Sequence, residues 1–169
     1  MMKGYTLIEL LVAMVAGLIL LSGVAMSYGA IKSTLSTARD LEIAQEVVRY
    51  SNQVLTRSIK QTIREPQVFD EGARLVLSQS GNTISCSGQV IENAYEETYT
   101  REGDFLVCNN GVGKVNLVKG LNTARFQYNN LLVSIFIRSV NMPAPFANGV
   151  RIDIAATQLV LTNAYGSTP

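Results

Sequence analysis

A single glutamate, Glu9, stands near the start of an otherwise uncharged apolar stretch, and its carboxylate is the first group that could do chemistry here. No residue from Leu10 to Ile31 is charged, and about 20 apolar residues are enough to cross a bilayer as a helix. A carboxylate inside a membrane costs on the order of 3 kcal/mol, so an acid there indicates a function and a partner charge. A simpler interpretation, compatible with the first, is that Glu9 only complements the dipole of its own helix.

The two cysteines, Cys86 and Cys108, are the second set of reactive groups, and both lie beyond the apolar stretch. The chain has no histidine, which removes the commonest general base and the commonest metal ligand. No nucleophile–base pair, metal-ligand cluster or phosphate-binding loop appears in the sequence. We therefore predict no enzyme activity, no cofactor and no metal. The adjacent acids Asp70–Glu71 and Glu96–Glu97 are expected to be solvated turn or strand residues.

The composition limits the class of protein. The 169 residues suit one globular domain plus an extra element, and 47% of them are hydrophobic against 16% charged. The formal net charge is +1, which argues against electrostatic capture of nucleic acid by the chain as a whole.

The apolar stretch has three possible interpretations. It could be a secretory signal cut after Ala25, but the apolar run is longer than a usual signal core and Glu9 interrupts its start. It could be a plain uncleaved anchor, which also leaves Glu9 unexplained. If the stretch spans the membrane, Lys3 favours a cytoplasmic N-terminus. Lys32 and Arg39 on the other side make this charge bias weak.

The third interpretation rests on the string "KGYTLIEL", which resembles the processing site of type IV prepilins and type II secretion pseudopilins. The resemblance implies that a prepilin peptidase cuts after Gly4 and methylates the new amine of Tyr5, where the family usually has phenylalanine. Glu9 falls on the glutamate that the family carries five residues into the mature chain. In that family the glutamate pairs with the N-terminal amine of a neighbouring subunit. The pairing turns an unpaired charge in lipid into a paired one.

The apolar stretch continues into an amphipathic helix. No proline occurs before Pro66, and apolar residues recur at spacings near three, four and seven. The predicted stripe consists of Ile31, Leu35, Ala38, Leu41, Val48, Leu55, Ile59 and Ile63. We predict one helix from Tyr5 to about Ile63, ended by "REP", since the residue before a proline leaves the α region.

After Pro66 the hydrophobic pattern changes to period two. Strands are predicted at 74–79, 83–88, 94–100, 105–109, 122–129, 131–140 and 150–162, and 141–149 is predicted to be a loop. The expected fold class is α+β, a type IV pilin-like fold with a long N-terminal helix packed against an antiparallel sheet. The expected segments are a leader at 1–4, a membrane or filament-core half of the helix at 5–31, its amphipathic half at 32–65, and a β-rich head at 66–169.

Cys86 and Cys108 lie on two of the predicted strands. An exported domain with only two cysteines favours a disulfide between them. Zinc would need more ligands, and redox chemistry would favour the close C-x-x-C spacing.

The head also resembles PilW-type minor pilins, relatives of the J-type pseudopilins. The matching features are Cys86, Gly88, Leu106, Cys108, Leu117, Val118, Gly120 and Tyr128. Major pilins usually place their cysteine pair around the C-terminal segment, whereas a long segment follows Cys108 here.

The resemblance implies a minor pilin that helps to start or cap a type IV pilus. A J-type pseudopilin of a secretion system and a tip adhesin or DNA-binding pilin are the alternatives. The implied partners are the prepilin peptidase, other minor pilins and the major pilin, the inner-membrane assembly platform and membrane lipid, with nucleic acid left open. The implied location is the inner membrane with the head in the periplasm, and afterwards the filament, at its tip or as a minor component.

Overall fold

A computed structural model describes residues 6–143 and 146–166. The chain divides into two compact units, Met1–Arg39 and Asp40–Pro169. The first helix, α1, runs from Leu7 to Gln61 and belongs to both units. Among its described residues, the second unit, which we call the head, contains the rest of α1, ten strands and a further α-helix.

The head half of α1 supplies one side of the core. Its buried side chains follow the helical period, and they are Ala44, Val47, Ser51, Val54, Leu55, Ser58 and Ile59. The predicted stripe is correct at Leu55 and Ile59, whereas Leu41 and Ile63 are 38% and 40% exposed. The buried face also contains two serines, Ser51 and Ser58. Because the predicted stripe was drawn through apolar residues only, it omitted these serines and included residues at the edge of the buried face.

A five-stranded antiparallel sheet with the order β1-β2-β5-β6-β7 forms the first layer of the head. Its strands are β1 (Gln67–Phe69), β2 (Arg74–Gln79), β5 (Tyr95–Glu102), β6 (Phe105–Asn109) and β7 (Lys114–Lys119). Buried and less buried residues alternate along β2, as period two predicts. β1 and β7 were not predicted from the sequence.

A separate hairpin of two short strands, β3 (Thr83–Ile84) and β4 (Val90–Ile91), lies between β2 and β5 in sequence. The strand predicted at 83–88 therefore ends after Ile84. The chain then turns back, because the amide of Gly88 donates to the carbonyl of Ser85 and the amide of Ser85 donates to the carbonyl of Gln89.

A three-stranded antiparallel sheet with the order β10-β9-β8 completes the head. Its strands are β8 (Leu121–Asn129), β9 (Leu132–Ser139) and β10 (Val150–Ala155). The chain passes from β7 to β8 through Gly120, whose φ is +96°. A Cβ at Gly120 would lie 3.4 Å from side-chain atoms of both Ile43 and Val47, so glycine lets the chain cross close to α1 at this point.

The strand predicted at 150–162 is wrong in its second half. β10 ends at Ala155, which pairs with Leu132, the first residue of β9. Beyond that pair β10 has no neighbouring strand, and the amide of Ala156 donates to the carbonyl of Leu131 in the preceding turn. The chain then forms helix α2, Thr157–Tyr165, which places Leu159 in the core.

One hydrophobic core joins α1 to both larger sheets and α2. It includes Leu55 and Ile59 from the helix, Leu75 and Leu77 from the first sheet, and Ile135 from the second. The predicted α+β class, with a long N-terminal helix packed against antiparallel sheet, is therefore confirmed.

Candidate functional site

Glu9 lies in the first turn of α1. The carbonyl of Thr6 accepts the amides of Glu9 and Leu10, at 3.0 Å and 3.3 Å, so the helix begins directly after Thr6. Thr6 and Glu9 have the spacing of a capping box, and an acid in a first turn complements the helix dipole. The predicted cleavage residues, Gly4 and Tyr5, lie outside the described residues.

The surface around Glu9 is an apolar helix with nothing packed on it in the described chain. Every large apolar side chain from Leu7 to Ile31 is exposed, with exposed fractions between 49% at Val15 and 84% at Leu7. By length and composition α1 could cross a membrane. Such a continuous apolar surface is unfavourable in water, so it needs lipid or other apolar helices around it.

The carboxylate of Glu9 forms no ion pair within residues 6–143 and 146–166. The next cation along α1 is Lys32, which at 1.5 Å per residue lies about 35 Å further along the helix. Neither Lys32 nor Arg39, the described cations of the first unit, can therefore neutralise Glu9 within one chain. The role of Glu9 in assembly stays a prediction, as does cleavage between Gly4 and Tyr5.

The predicted disulfide is present in the head. Cys86 and Cys108 are bonded across a sequence separation of 22 residues, and both are buried. Cys108 lies on β6, and Cys86 follows β3 in the small hairpin. The bond therefore fixes the small hairpin to the five-stranded sheet.

Glu97, predicted to be a solvated strand residue, is fully buried beside this disulfide. It lies on β5 with its side chain toward the core, and the amide of Cys86 donates to one of its carboxylate oxygens. The other oxygen accepts the hydroxyl of Tyr99 at 2.8 Å. The prediction failed because Glu96 and Glu97 point to opposite faces of a strand, and only Glu96 faces solvent.

Tyr99 connects this carboxyl group to α1. Its hydroxyl lies 2.7 Å from the hydroxyl of Ser58, and since Tyr99 donates its proton to Glu97, Ser58 donates to Tyr99. The amide of Gln79 donates to the carbonyl of Ser58 at 2.9 Å. Burial, and then the negative charge of Glu97, raise the pKa of Tyr99 well above its ordinary value. This buried polar network fixes the position of the head half of α1 on the first sheet.

The same residues form a compact group of possible metal ligands. The sulfur atoms of Cys86 and Cys108 and a carboxylate oxygen of Glu97 all lie within 4.8 Å of one another. A metal would need the cysteines as thiolates, and the disulfide leaves them none. With both sulfurs bonded to each other, the group holds the fold together and offers only one ligand.

Sequence reasoning missed Glu97, Tyr99 and Ser58. A signal was available for the first two, because Tyr95, Glu97 and Tyr99 alternate and so share one face of a strand. An acid on a face that also carries two aromatic residues indicates a buried, hydrogen-bonded carboxyl. No comparable signal marks Ser58, which becomes important only when the helix meets β5.

Comparison with known families finds a match at the N-terminus. Residues 1–25 match the family model of the prokaryotic N-terminal methylation motif, which contains Gly4, Tyr5, Glu9 and the start of α1. Searches of curated proteins and of solved structures found no match. The motif covers the leader and the first part of the apolar helix, and it supports an assignment to the type IV pilins and pseudopilins.

Proposed function

We propose that this chain is a minor pilin, a structural subunit that helps to initiate or cap a type IV pilus. The observation that carries the proposal is the methylation motif at residues 1–25, placed on a helix whose large apolar side chains from Leu7 to Ile31 are all exposed. Before assembly the helix is anchored in the inner membrane, with its N-terminus in the cytoplasm and the head in the periplasm. In the filament, neighbouring pilin helices replace the lipid.

In this proposal the prepilin peptidase cuts after Gly4 and methylates the amine of Tyr5. The new amine stands at a helix N-terminus, and Glu9 of an arriving subunit pairs with the amine of a subunit already in place. Pairing removes an uncompensated charge from an apolar environment, and breaking such a buried pair costs about 3–5 kcal/mol. The inner-membrane platform, other minor pilins and the major pilin are the partners of this step.

The position of the disulfide supports a minor rather than a major subunit. The bond joins the small hairpin to β6, and the whole second sheet and α2 lie after Cys108 in the sequence. In major pilins the cysteine pair usually encloses the C-terminal segment. In this chain the pair lies before that segment and does not enclose it. The similarity of the head to PilW-type minor pilins, with Gly120 at the crossing between sheets, points the same way.

A J-type pseudopilin of a type II secretion system shares the same N-terminal chemistry and is the second candidate. The two differ in output, so deletion of the gene separates them. Loss of surface pili with normal protein secretion supports the minor pilin, and the opposite result supports the pseudopilin.

The first test is mass spectrometry of the mature N-terminus of the membrane and filament fractions. We expect the chain to begin at a methylated Tyr5. Gly4→Val should block cleavage by crowding the peptidase site and leave the uncut chain in the membrane. An N-terminus at Met1 or Met2 in filament protein, or a new one near residue 26, would show that the processing model is wrong.

The second test replaces Glu9. Glu9→Ala should be made, inserted and cut, yet poorly incorporated into sheared pili, because it lacks the charge that selects a neighbouring amine. Glu9→Asp should be intermediate, since the charge remains and the reach is shorter. Glu42→Ala, which removes an exposed acid from the head half of α1, is the matched control and should assemble normally. Normal incorporation of Glu9→Ala would mean that the carboxylate only stabilises its own helix, by a few tenths to about 1 kcal/mol.

A further inference from the structure

The outward face of the three-stranded sheet places two arginines on either side of a phenylalanine. Arg125 of β8 and Arg151 of β10 are both direct cross-strand partners of Phe136 on β9. All three side chains are exposed, whereas their neighbours Phe126 and Ile135 are buried on the opposite face. With strands about 4.8 Å apart, the two arginines stand roughly 10 Å apart with the ring between them.

A third arginine adds to this surface. Arg138 lies two residues after Phe136 on β9, which places it on the same face about 7 Å along the strand. The guanidinium of Arg151 lies over the ring of Phe136, 5.5 Å from its centroid. We call Arg125, Phe136, Arg138 and Arg151 the arginine–phenylalanine face.

The acids near this face neutralise only part of its charge. Asp153 accepts hydrogen bonds from Ser134 at 2.6 Å and from Arg151 at 2.9 Å, which lower its pKa. Glu71 lies at the other edge, beside Arg125. In the described residues neither Arg125 nor Arg138 forms an ion pair. The chain has a net charge of +1, so this local excess of positive charge is a property of the folded sheet.

A groove of about 510 Å³ borders Phe136 on the side of Arg125. Its lining residues include Glu71 and Gln127 as well as Phe136 and Arg125. The face therefore carries arginine cations, and the adjoining groove adds an acid, an amide residue and an aromatic residue, which are Glu71, Gln127 and Phe136.

We propose that the arginine–phenylalanine face binds single-stranded nucleic acid. Guanidinium groups bind backbone phosphates, and an aromatic ring next to them offers a surface on which a base stacks. Glu71 and Gln127 can hydrogen-bond the edge of a base that enters the groove, since a carboxylate accepts from an exocyclic amine such as that of cytosine. The proposal goes beyond the structural role of the chain, and it depends only on the head.

The arrangement favours nucleic acid over an acidic polysaccharide. In a nucleic acid the negative charge lies on the backbone and the bases are neutral, so Arg125 and Arg138 can bind phosphate while a base lies beside Glu71. An acidic sugar polymer carries charge on the rings themselves, and the carboxylate of Glu71 would repel them.

The test is fluorescence anisotropy of the full chain in a non-ionic detergent with labelled oligo(dC) and oligo(dT) of about 16 nucleotides. We expect saturable binding that weakens as salt rises from about 50 to 200 mM, and tighter binding of oligo(dC). Phe136→Leu should weaken binding about five-fold or more, since it keeps an apolar side chain and removes the stacking ring. Arg125→Gln and Arg138→Gln should each lower the slope of log affinity against log salt by about 0.7.

The matched control is Phe105→Leu, which removes the ring of a phenylalanine that also lies beneath a cation, Lys119, but on the other sheet. It should leave binding unchanged, and circular dichroism of each variant checks that the head is folded. Heparin is the competitor that represents acidic polysaccharides. The proposal is overturned if no saturable binding occurs, if Phe105→Leu and Phe136→Leu act equally, or if heparin binds as tightly as the oligonucleotides and Phe136→Leu leaves both unchanged.

Discussion

Replacing Tyr99 with phenylalanine tests whether the buried polar network fixes α1 to the first sheet. The change removes one hydroxyl and keeps the ring, which is fully buried. Two hydrogen bonds are lost, at 2.7 Å to Ser58 and 2.8 Å to Glu97. Ser58 can turn to a carbonyl of its own helix, whereas the Glu97 oxygen loses its hydroxyl donor inside the core. Leaving a buried acceptor unsatisfied costs about 1–3 kcal/mol, so we expect a loss of about that size.

The measurement is urea unfolding of the head in the full chain, followed by near-ultraviolet circular dichroism in a non-ionic detergent. The chain has seven tyrosines and no tryptophan, so this signal reports tyrosine packing. With a slope of about 1–3 kcal/mol per molar urea, the unfolding midpoint should fall by roughly 1 M. Tyr50→Phe is the control, because Tyr50 lies on α1 with 37% of its surface exposed and should shift the midpoint little.

A double-mutant cycle with Ser58→Ala separates the network from simple loss of a hydroxyl. If the two hydroxyls act through each other, the double variant should lose less stability than the sum of the single variants, with a coupling of about 0.5 kcal/mol or more. The reasoning is refuted if Tyr99→Phe unfolds at the same urea concentration as Tyr50→Phe, or if the effects of Tyr99→Phe and Ser58→Ala are simply additive.

Two further predictions concern the same region. The pKa of Tyr99 is raised in the folded head, so above about pH 10 the hydroxyl loses its proton in the unfolded chain before it does in the folded one. The free energy of unfolding should therefore be constant below that pH with respect to this group, and should fall above it by up to about 1.4 kcal/mol per pH unit. Urea unfolding from pH 8 to 11 should show this loss in the wild type and a smaller one in Tyr99→Phe, and equal losses would contradict the assignment. Cys86→Ser opens a loop of 22 residues and should reduce stability by about 3 kcal/mol. Alkylation of the native protein, extracted without reductant, should find no free thiol in the wild type, and labelling of both Cys86 and Cys108 would count against the disulfide.

The sequence by itself determined the features that depend on local pattern. The uncharged stretch before Lys32 and the absence of proline before Pro66 specified one long helix, since both act through neighbouring residues. Alternation of apolar and polar residues located β2, β8 and β9. Two lone cysteines in a head predicted to be exported indicated their pairing. The methylation motif is also local, so residues 1–25 were sufficient to recognise it.

The tertiary structure alone decided which residues meet. β10 ends at Ala155 because its partner strand β9 begins at Leu132. The residue types at 156–162 do not indicate that the strand ends there. Glu97 became a buried residue because β5 turns that face toward α1 and the disulfide. Arg125 and Arg151 are far apart in sequence, yet strand pairing places both beside Phe136. Period two fixes the face of each side chain but not the neighbour of each strand, because strand order depends on contacts between distant segments.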